Sequence, residues 1–152
     1  MPPWTCDTCG ETIATAEDGW VEWITYRDEN GRRARDFRLV HHRPASPRRN
    51  GCQFDEREEF ARDKGTVSDL PLRNFLGMDG LNYLLCLIHE GEIPLVQLVE
   101  MIKRLHITGY EEARFFIKSA MHEGVYEPNK PEGFPTQAEI REILRFGSNQ
   151  RE

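Results

Sequence analysis

The period of the apolar positions changes partway along the chain. Between Trp20 and His42 they follow strand-like spacing; from Asp79 onward they recur every three or four residues. The first period marks half-buried strands and the second marks amphipathic helices. Trp20 to Tyr26 is aromatic and β-branched, with Trp20, Glu22 and Ile24 on one side and Val21, Trp23 and Thr25 on the other. Asp28-Glu29-Asn30-Gly31 follows, and Asn-Gly is the strongest short hairpin signal. Arg35 to His41 is the predicted return strand, placing Phe37, Leu39 and His41 on one face and Arg38, Val40 and His42 on the other. Arg43 to Gly51 contains two prolines and a glycine and reads as a loop.

Phe54 to Gly65 is rich in both charge signs and reads either as a short helix or as a solvated linker. Ser68 or Asp69 is placed to cap a short helix carrying Leu72, Phe75 and Leu76, with Gly77 as its stop. Asp79 to Glu90 follows, with Leu81, Leu84, Leu85 and Ile88 at helical spacing and Cys86 read as a small core residue. Leu95 to Leu105 and Tyr110 to His122 are the next predicted helices. Thr136-Gln137-Ala138-Glu139 is a capping box that opens a last helix reaching Phe146 before Gly147. The expected class is α+β. Residues 1–53 form a small zinc-bound β-hairpin module and 54–68 a charged linker or short helix. Residues 69–147 form a helical bundle with helix-turn-helix-like elements, and 148–152 a frayed tail.

The stretch that organises the first third is Cys6-Asp7-Thr8-Cys9-Gly10. Two thiols at this spacing sit on one tight knuckle, and a zinc ion held by them needs two further soft or borderline ligands to complete a tetrahedron. The hairpin returns His41 and His42 to the point where it began, and Asn50-Gly51 presents Cys52. The candidate ligands are therefore Cys6, Cys9, one of His41 or His42, and Cys52. Adjacent strand residues point to opposite faces, so one histidine is left over; spacing does not say which. A site of three cysteines and one histidine is closed and structural. A redox pair is the competing reading of the two thiols, but such pairs open a helix after a strand, and this knuckle precedes a turn.

Net charge changes the picture only locally. The chain of 152 residues carries a net charge of −6, which excludes a global basic field for nucleic acid. Yet residues 27–49 hold eight arginines against Asp28, Glu29 and Asp36. Arg32, Arg33, Arg35, Arg38, Arg43, Arg48 and Arg49 are the candidate contacts to phosphate; the plainer reading is a solvated hairpin. Four cysteines with no export signal at the start suggest a reducing cytosol, and no apolar run approaches a membrane span.

The knuckle, the hairpin and the later ligand pair resemble the zinc-ribbon and treble-clef class, over about a third of the chain; that resemblance implies binding of nucleic acid or protein. Val40-His41-His42-Arg43-Pro44, with Asn50 beyond, is similar to the core of HNH endonucleases. That resemblance implies His41 as general base, Asn50 as its orienting residue, and a divalent metal for which Glu58 or Glu59 stands in as ligand. The Tyr110–His122 helix, with its predecessor, resembles a helix-turn-helix, although Glu111 and Glu112 at its start would repel phosphate. The expectation is a cytosolic, bacterial, non-enzymatic zinc accessory protein. Its helical domain would dock on a protein partner, and nucleic acid is a second candidate partner. A metal-dependent nuclease and a transcription regulator are the alternatives. Nothing in the sequence signals an oligomeric state.

Overall fold

The computed structural model describes residues 3–131 and 133–151. Among them, no helix is long and apolar enough to cross a membrane. The chain divides into two compact units, one ending at His106 and the other beginning at Ile107. Small antiparallel sheets come first and helices follow, which is the α+β class.

The first unit opens with two short paired strands, β1 (Trp4–Thr5) and β2 (Thr12–Ile13), on either side of the knuckle. Trp4 and Ile13 are buried beside it. The main sheet has the order β4-β3-β5, with β3 at Gly19–Asp28, β4 at Gly31–His41 and β5 at Thr66–Pro71, all antiparallel. The pairing passes from Glu22↔Arg38 to Ile24↔Arg35, so β4 carries an extra residue opposite Trp23, where Asp36 takes a left-handed φ of 56°. Val21 through Thr25 are all buried because both faces of this central strand are covered: Val21 and Trp23 lie in the core with the helices, while Glu22 lies under Phe54 and Ile24 against Gly65.

Residues 54–68 lie inside this unit. The helix reading of the charged stretch is the one seen: α1 spans Glu56–Asp63, with Asp55 accepting from the amides of Arg57 and Glu58 at 2.9 and 3.2 Å. The capped short helix expected after Ser68 is absent. Ser68 and Asp69 belong to β5, and only a 3-10 turn, Leu72–Phe75, follows. Pairing with β3 overrides the capping signal there, helped by the Ser68 and Thr25 hydroxyls at 3.0 Å. Pro71 is tolerated because β5 is an edge strand.

Helices α2 (Gly77–Glu90) and α3 (Leu95–His106) pack on the sheet rather than on a separate bundle. Val21, Trp23, Phe37 and Leu39 from the sheet meet Leu84, Leu87, Leu98 and Met101 from the helices. Trp23 and Phe37 rings lie 5.5 Å apart, and Phe75 stands edge-on to Trp23 at 6.4 Å. Burying each such side chain contributes about 1.5–3 kcal/mol. The edge of β4 is covered: Ala34 N–H donates to the Glu92 carbonyl at 3.0 Å and Phe37 N–H to Gln97 Oε1 at 3.0 Å. Two expected inward residues of α2 face outward. Leu85 is exposed, and so is Cys86, because Leu84 and Leu87 alone fill the inward positions of that turn.

The second unit contains α4 (Tyr110–Ala113), α5 (Ile117–His122) and α6 (Gln137–Gln150). The single helix expected over Tyr110–His122 is broken at Arg114–Phe116. Phe116 turns toward α6, where a Cβ on Gly147 would lie 2.6 Å from its ring. Gly147 is thus a close-approach residue inside α6, and the helix runs past the expected stop at Phe146. The Thr136–Glu139 capping box is present in both directions. Tyr110, Ala113, Ile117, Ala120, Tyr126, Ile140 and Ile143 form this unit's own core.

Candidate metal centre

The knuckle is shaped by its own backbone. Cys6 N–H donates to the Glu11 carbonyl and Gly10 N–H to the Cys6 carbonyl, both at 2.9 Å. Gly10 sits at φ 78°, a conformation that a side chain would oppose. Two amides of this turn, those of Thr8 and Cys9, join the amide of His41 in facing the Cys6 sulfur. Burial pushes the Cys6 thiol up, but these amides outweigh it and hold the group at about 7. Cys9 goes the other way, to about 11, through burial and the neighbouring sulfurs of Cys6 and Cys52. Two coupled thiols this close do not both ionise freely without a cation to share, so the titrations of Cys6 and Cys9 are pushed apart.

His41 ends β4 opposite Gly19, and its ring orientation is set from behind. Its Nε2 lies 2.9 Å from the Thr12 carbonyl oxygen. A carbonyl can only accept, so Nε2 is the nitrogen that donates there, which leaves Nδ1 as the one turned to the sulfurs. Nδ1 faces inward, 3.4 Å from Cys9 Sγ and 3.8 Å from Cys52 Sγ. An acceptor behind the ring that fixes the tautomer is what a ligating histidine ordinarily has. Cys52 arrives from the loop and is held at several points. Thr8 Oγ1 donates to its carbonyl at 2.7 Å, Arg38 Nη2 donates to the same oxygen at 3.3 Å, and Ser46 Oγ lies 3.1 Å from its sulfur.

The structure therefore brings together Cys6, Cys9, His41 and Cys52, with all four ligand atoms within 4.8 Å of one another. A tetrahedron with zinc bond lengths would put sulfurs about 3.8 Å apart and sulfur and nitrogen about 3.6 Å apart. The observed 3.4 and 3.8 Å from His41 Nδ1 bracket the second figure. This donor set can hold a metal ion. His42 is not part of it. Its ring stacks on Trp20 at 4.6 Å and 20°, and its amide donates to the Asp18 carbonyl.

The Arg-rich segment divides. Arg32 pairs with Glu92, Arg33 with Asp28, and Arg38 with Glu22. Arg35 is gripped by Asp63 at 3.0 Å, Glu59 at 2.6 Å and Asp36, which together push its pKa up. Arg43, Arg48 and Arg49 are exposed, and among the described residues their side chains have no acidic partner. Asn50 lies on the surface of the same loop, and Glu58 is exposed on α1 while Glu59 is taken by Arg35.

Several residues around the centre escaped sequence reasoning. Glu22 is fully buried; burial raises its pKa against the pull of Arg38. It accepts from Arg38 Nε at 2.8 Å and from the Phe54 amide at 3.0 Å, closing the Cys52 loop over the sheet. Asp7 accepts from the Leu39 amide at 2.8 Å and from Arg104 Nη1 at 2.8 and 3.0 Å. The one available signal for Arg104 was its register, three residues beyond Met101 on the buried stripe of α3. Compared with protein families, characterised proteins and solved structures, the chain has no match.

Proposed function

We propose that Cys6, Cys9, His41 and Cys52 hold one zinc ion as a closed structural centre, and that the protein is a non-enzymatic accessory module acting through what it binds. The observation that carries this reading is the convergence of four protein donors within 4.8 Å. Four protein ligands leave no open position for water or substrate on a tetrahedral ion. An ion bound by the folded unit and not by the unfolded chain would add its binding free energy to the stability of that unit. Zinc fits better than a harder cation because three of the donors are thiolates. The nuclease reading is disfavoured by His41, whose two ring nitrogens already face Cys9 and Thr12.

A protein partner is supported by apolar side chains left in solvent on the helices: Met78 and Leu85 on α2, Leu95 and Val96 on α3. A polyanion is the second candidate, and what favours it is narrower than the sequence implied. Four of the seven arginines are occupied by carboxylates, so any phosphate contact would fall to Arg43, Arg48 and Arg49 on the Cys52 loop.

Elemental analysis of freshly purified protein tests the centre. The expected result is one zinc per chain, lost in Cys6→Ser and Cys52→Ser; freshly purified protein without stoichiometric zinc overturns it. Pull-down from native lysate with Met78→Glu/Leu85→Glu and Arg48→Glu/Arg49→Glu variants then separates a protein partner from a polyanion.

A further inference from the structure

We propose that Asp7 and Arg104 form a latch through which occupancy of the metal centre controls the docking of α3. The inference rests on the zinc reading and adds a consequence for the fold beyond the centre itself.

Arg104 is 5% exposed, so its guanidinium cannot be hydrated where it lies. It donates to both sides of one metal ligand. Nη2 reaches the Thr5 carbonyl at 2.9 Å, and Nη1 reaches the two Asp7 carboxylate oxygens at 2.8 and 3.0 Å. Thr5 and Asp7 flank Cys6 in sequence. Where Cys6 is held therefore decides whether a pair of acceptors stands in register for a guanidinium 97 residues further along. Other ties hold the knuckle as well: Cys6 is buried in the core with Trp4 and Ile13, and the His41 amide faces its sulfur. Asp7 bonds the backbone of Leu39 through its amide and its carboxylate, and Thr8 bonds Cys52, itself a ligand.

With the ion bound, Cys6 and Cys9 are fixed and the two acceptors are pre-set. With it gone, the four donors lose the ion that ties them to one point, and the knuckle relaxes. Arg104 then faces a buried position with its acceptors displaced. A buried charge in that state moves to water, and it carries the last turn of α3 with it. Leu98, Met101 and Leu105 share that helix and pack on the sheet, so undocking uncovers part of the core. Coupling of this kind is reciprocal: a docked α3 must tighten the metal by the same factor by which metal favours docking.

Hydrogen exchange of the full chain, read by mass spectrometry with and without a zinc chelator, tests the latch. Removal of zinc should speed exchange in residues 95–106 by about tenfold or more, while β3 changes by less than about twofold, as sub-global opening implies. Arg104→Met keeps the volume and removes the charge. It should make exchange in α3 indifferent to zinc and weaken zinc binding by about 10–100-fold, as loss of a ligand's supporting contact does. Asp7→Asn, which keeps an acceptor for the Leu39 amide, should show the same uncoupling. Unchanged α3 exchange on chelation overturns the latch, as does joint loss of protection in α3 and β3, or full zinc response in Arg104→Met. A chain with no stoichiometric zinc sinks the metal reading and the latch with it; a zinc-loaded chain with an indifferent α3 sinks the latch alone.

Discussion

Arg38→Ala isolates the polar lock that closes the Cys52 loop over the sheet. Glu22 has no exposed surface, takes one hydrogen bond from Arg38 Nε at 2.8 Å and one from the Phe54 amide, and is ion-paired with Arg38 Nη2 at 2.7 Å. Arg38 also lies over the Phe54 ring, 3.5 Å from its centroid. Removing one partner of a buried pair costs about 3–5 kcal/mol, and losing a cation–π contact adds about 0.5–2 kcal/mol. Glu22 can limit the loss by taking up a proton. Burial already holds its folded-state pKa above the ordinary value. The stability linked to its protonated form is complete below the ordinary carboxylate range and is lost as pH rises through the folded-state value. Without Arg38 that value climbs further, so the deficit of Arg38→Ala is smaller at pH 5 than at pH 7.5. Urea titration of metal-loaded protein, followed by tryptophan fluorescence, reads only the first unit, since Trp4, Trp20 and Trp23 all lie there. The midpoint should fall by about 1–3 M at pH 7.5. Arg38→Ala/Glu22→Gln should recover more than half of it. A deficit below about 1 kcal/mol, one that is equal at both pH values, or a double variant no better than the single one refutes the reasoning.

Three further outcomes are expected. His41→Ala should lose zinc, whereas His42→Ala should keep it and cost only the Trp20 stacking, about 0.5–1.5 kcal/mol; equal zinc loss in both would contradict the assignment of His41. Gly147→Ala should destabilise the second unit by about 1–3 kcal/mol through overpacking on Phe116, seen as faster exchange in α6 with tryptophan fluorescence unmoved. The hydrogen bond from Arg35 holds the Asp63 carboxyl below its usual range. Its contribution is therefore present above about pH 4 and lost as pH falls through the depressed folded-state value, so Asp63→Asn should flatten the acid limb of the stability profile; an unaltered limb removes Asp63 from the account.

What was legible in the sequence was whatever local chemistry specifies by itself. Asn30 and Gly31 marked the hairpin, although the turn itself is Glu29-Asn30 and Gly31, at φ 107°, already pairs with Asp28, and the hairpin's length then carried His41 back to the knuckle. Thr136 and Glu139 announced their helix start, since a capping box needs nothing beyond itself. The choice between His41 and His42 was open because alternation states only that the two differ. It is settled by Thr12, which stands behind one ring, and Trp20, which stands against the other. Strand β5 was missed for the converse reason. Ser68 and Asp69 are good caps in isolation, and only the partner strand, over forty residues earlier, makes them a sheet edge.

Charge was the most misleading local signal, and the reason bears on function. A run of arginines counted along the chain looks like a basic field. In the fold, however, Arg35 draws its partners from α1, Arg38 from β3 and Arg32 from the turn before α3. Glu59, Asp63 and Glu92 are distant in sequence, and Glu22, though on the hairpin's first strand, lies outside residues 27–49. The same reasoning applies to Arg104, which looks like a solvated helix cation until Asp7 is placed beside it. Arginines near the centre thus do two kinds of work. Arg38 and Arg104 fasten the Cys52 loop and α3 to the ligand-bearing segments, and they cannot leave without exposing a buried charge. The side chains of Arg43, Arg48 and Arg49 have no acidic partner among the described residues and stand in solvent on the loop that carries Cys52. If the module meets a polyanion, neutralising those three should abolish the salt-dependent part of the binding while zinc content and stability stay at wild-type levels. If binding survives with its salt dependence intact, the basic segment is scaffolding and the recognition surface lies elsewhere.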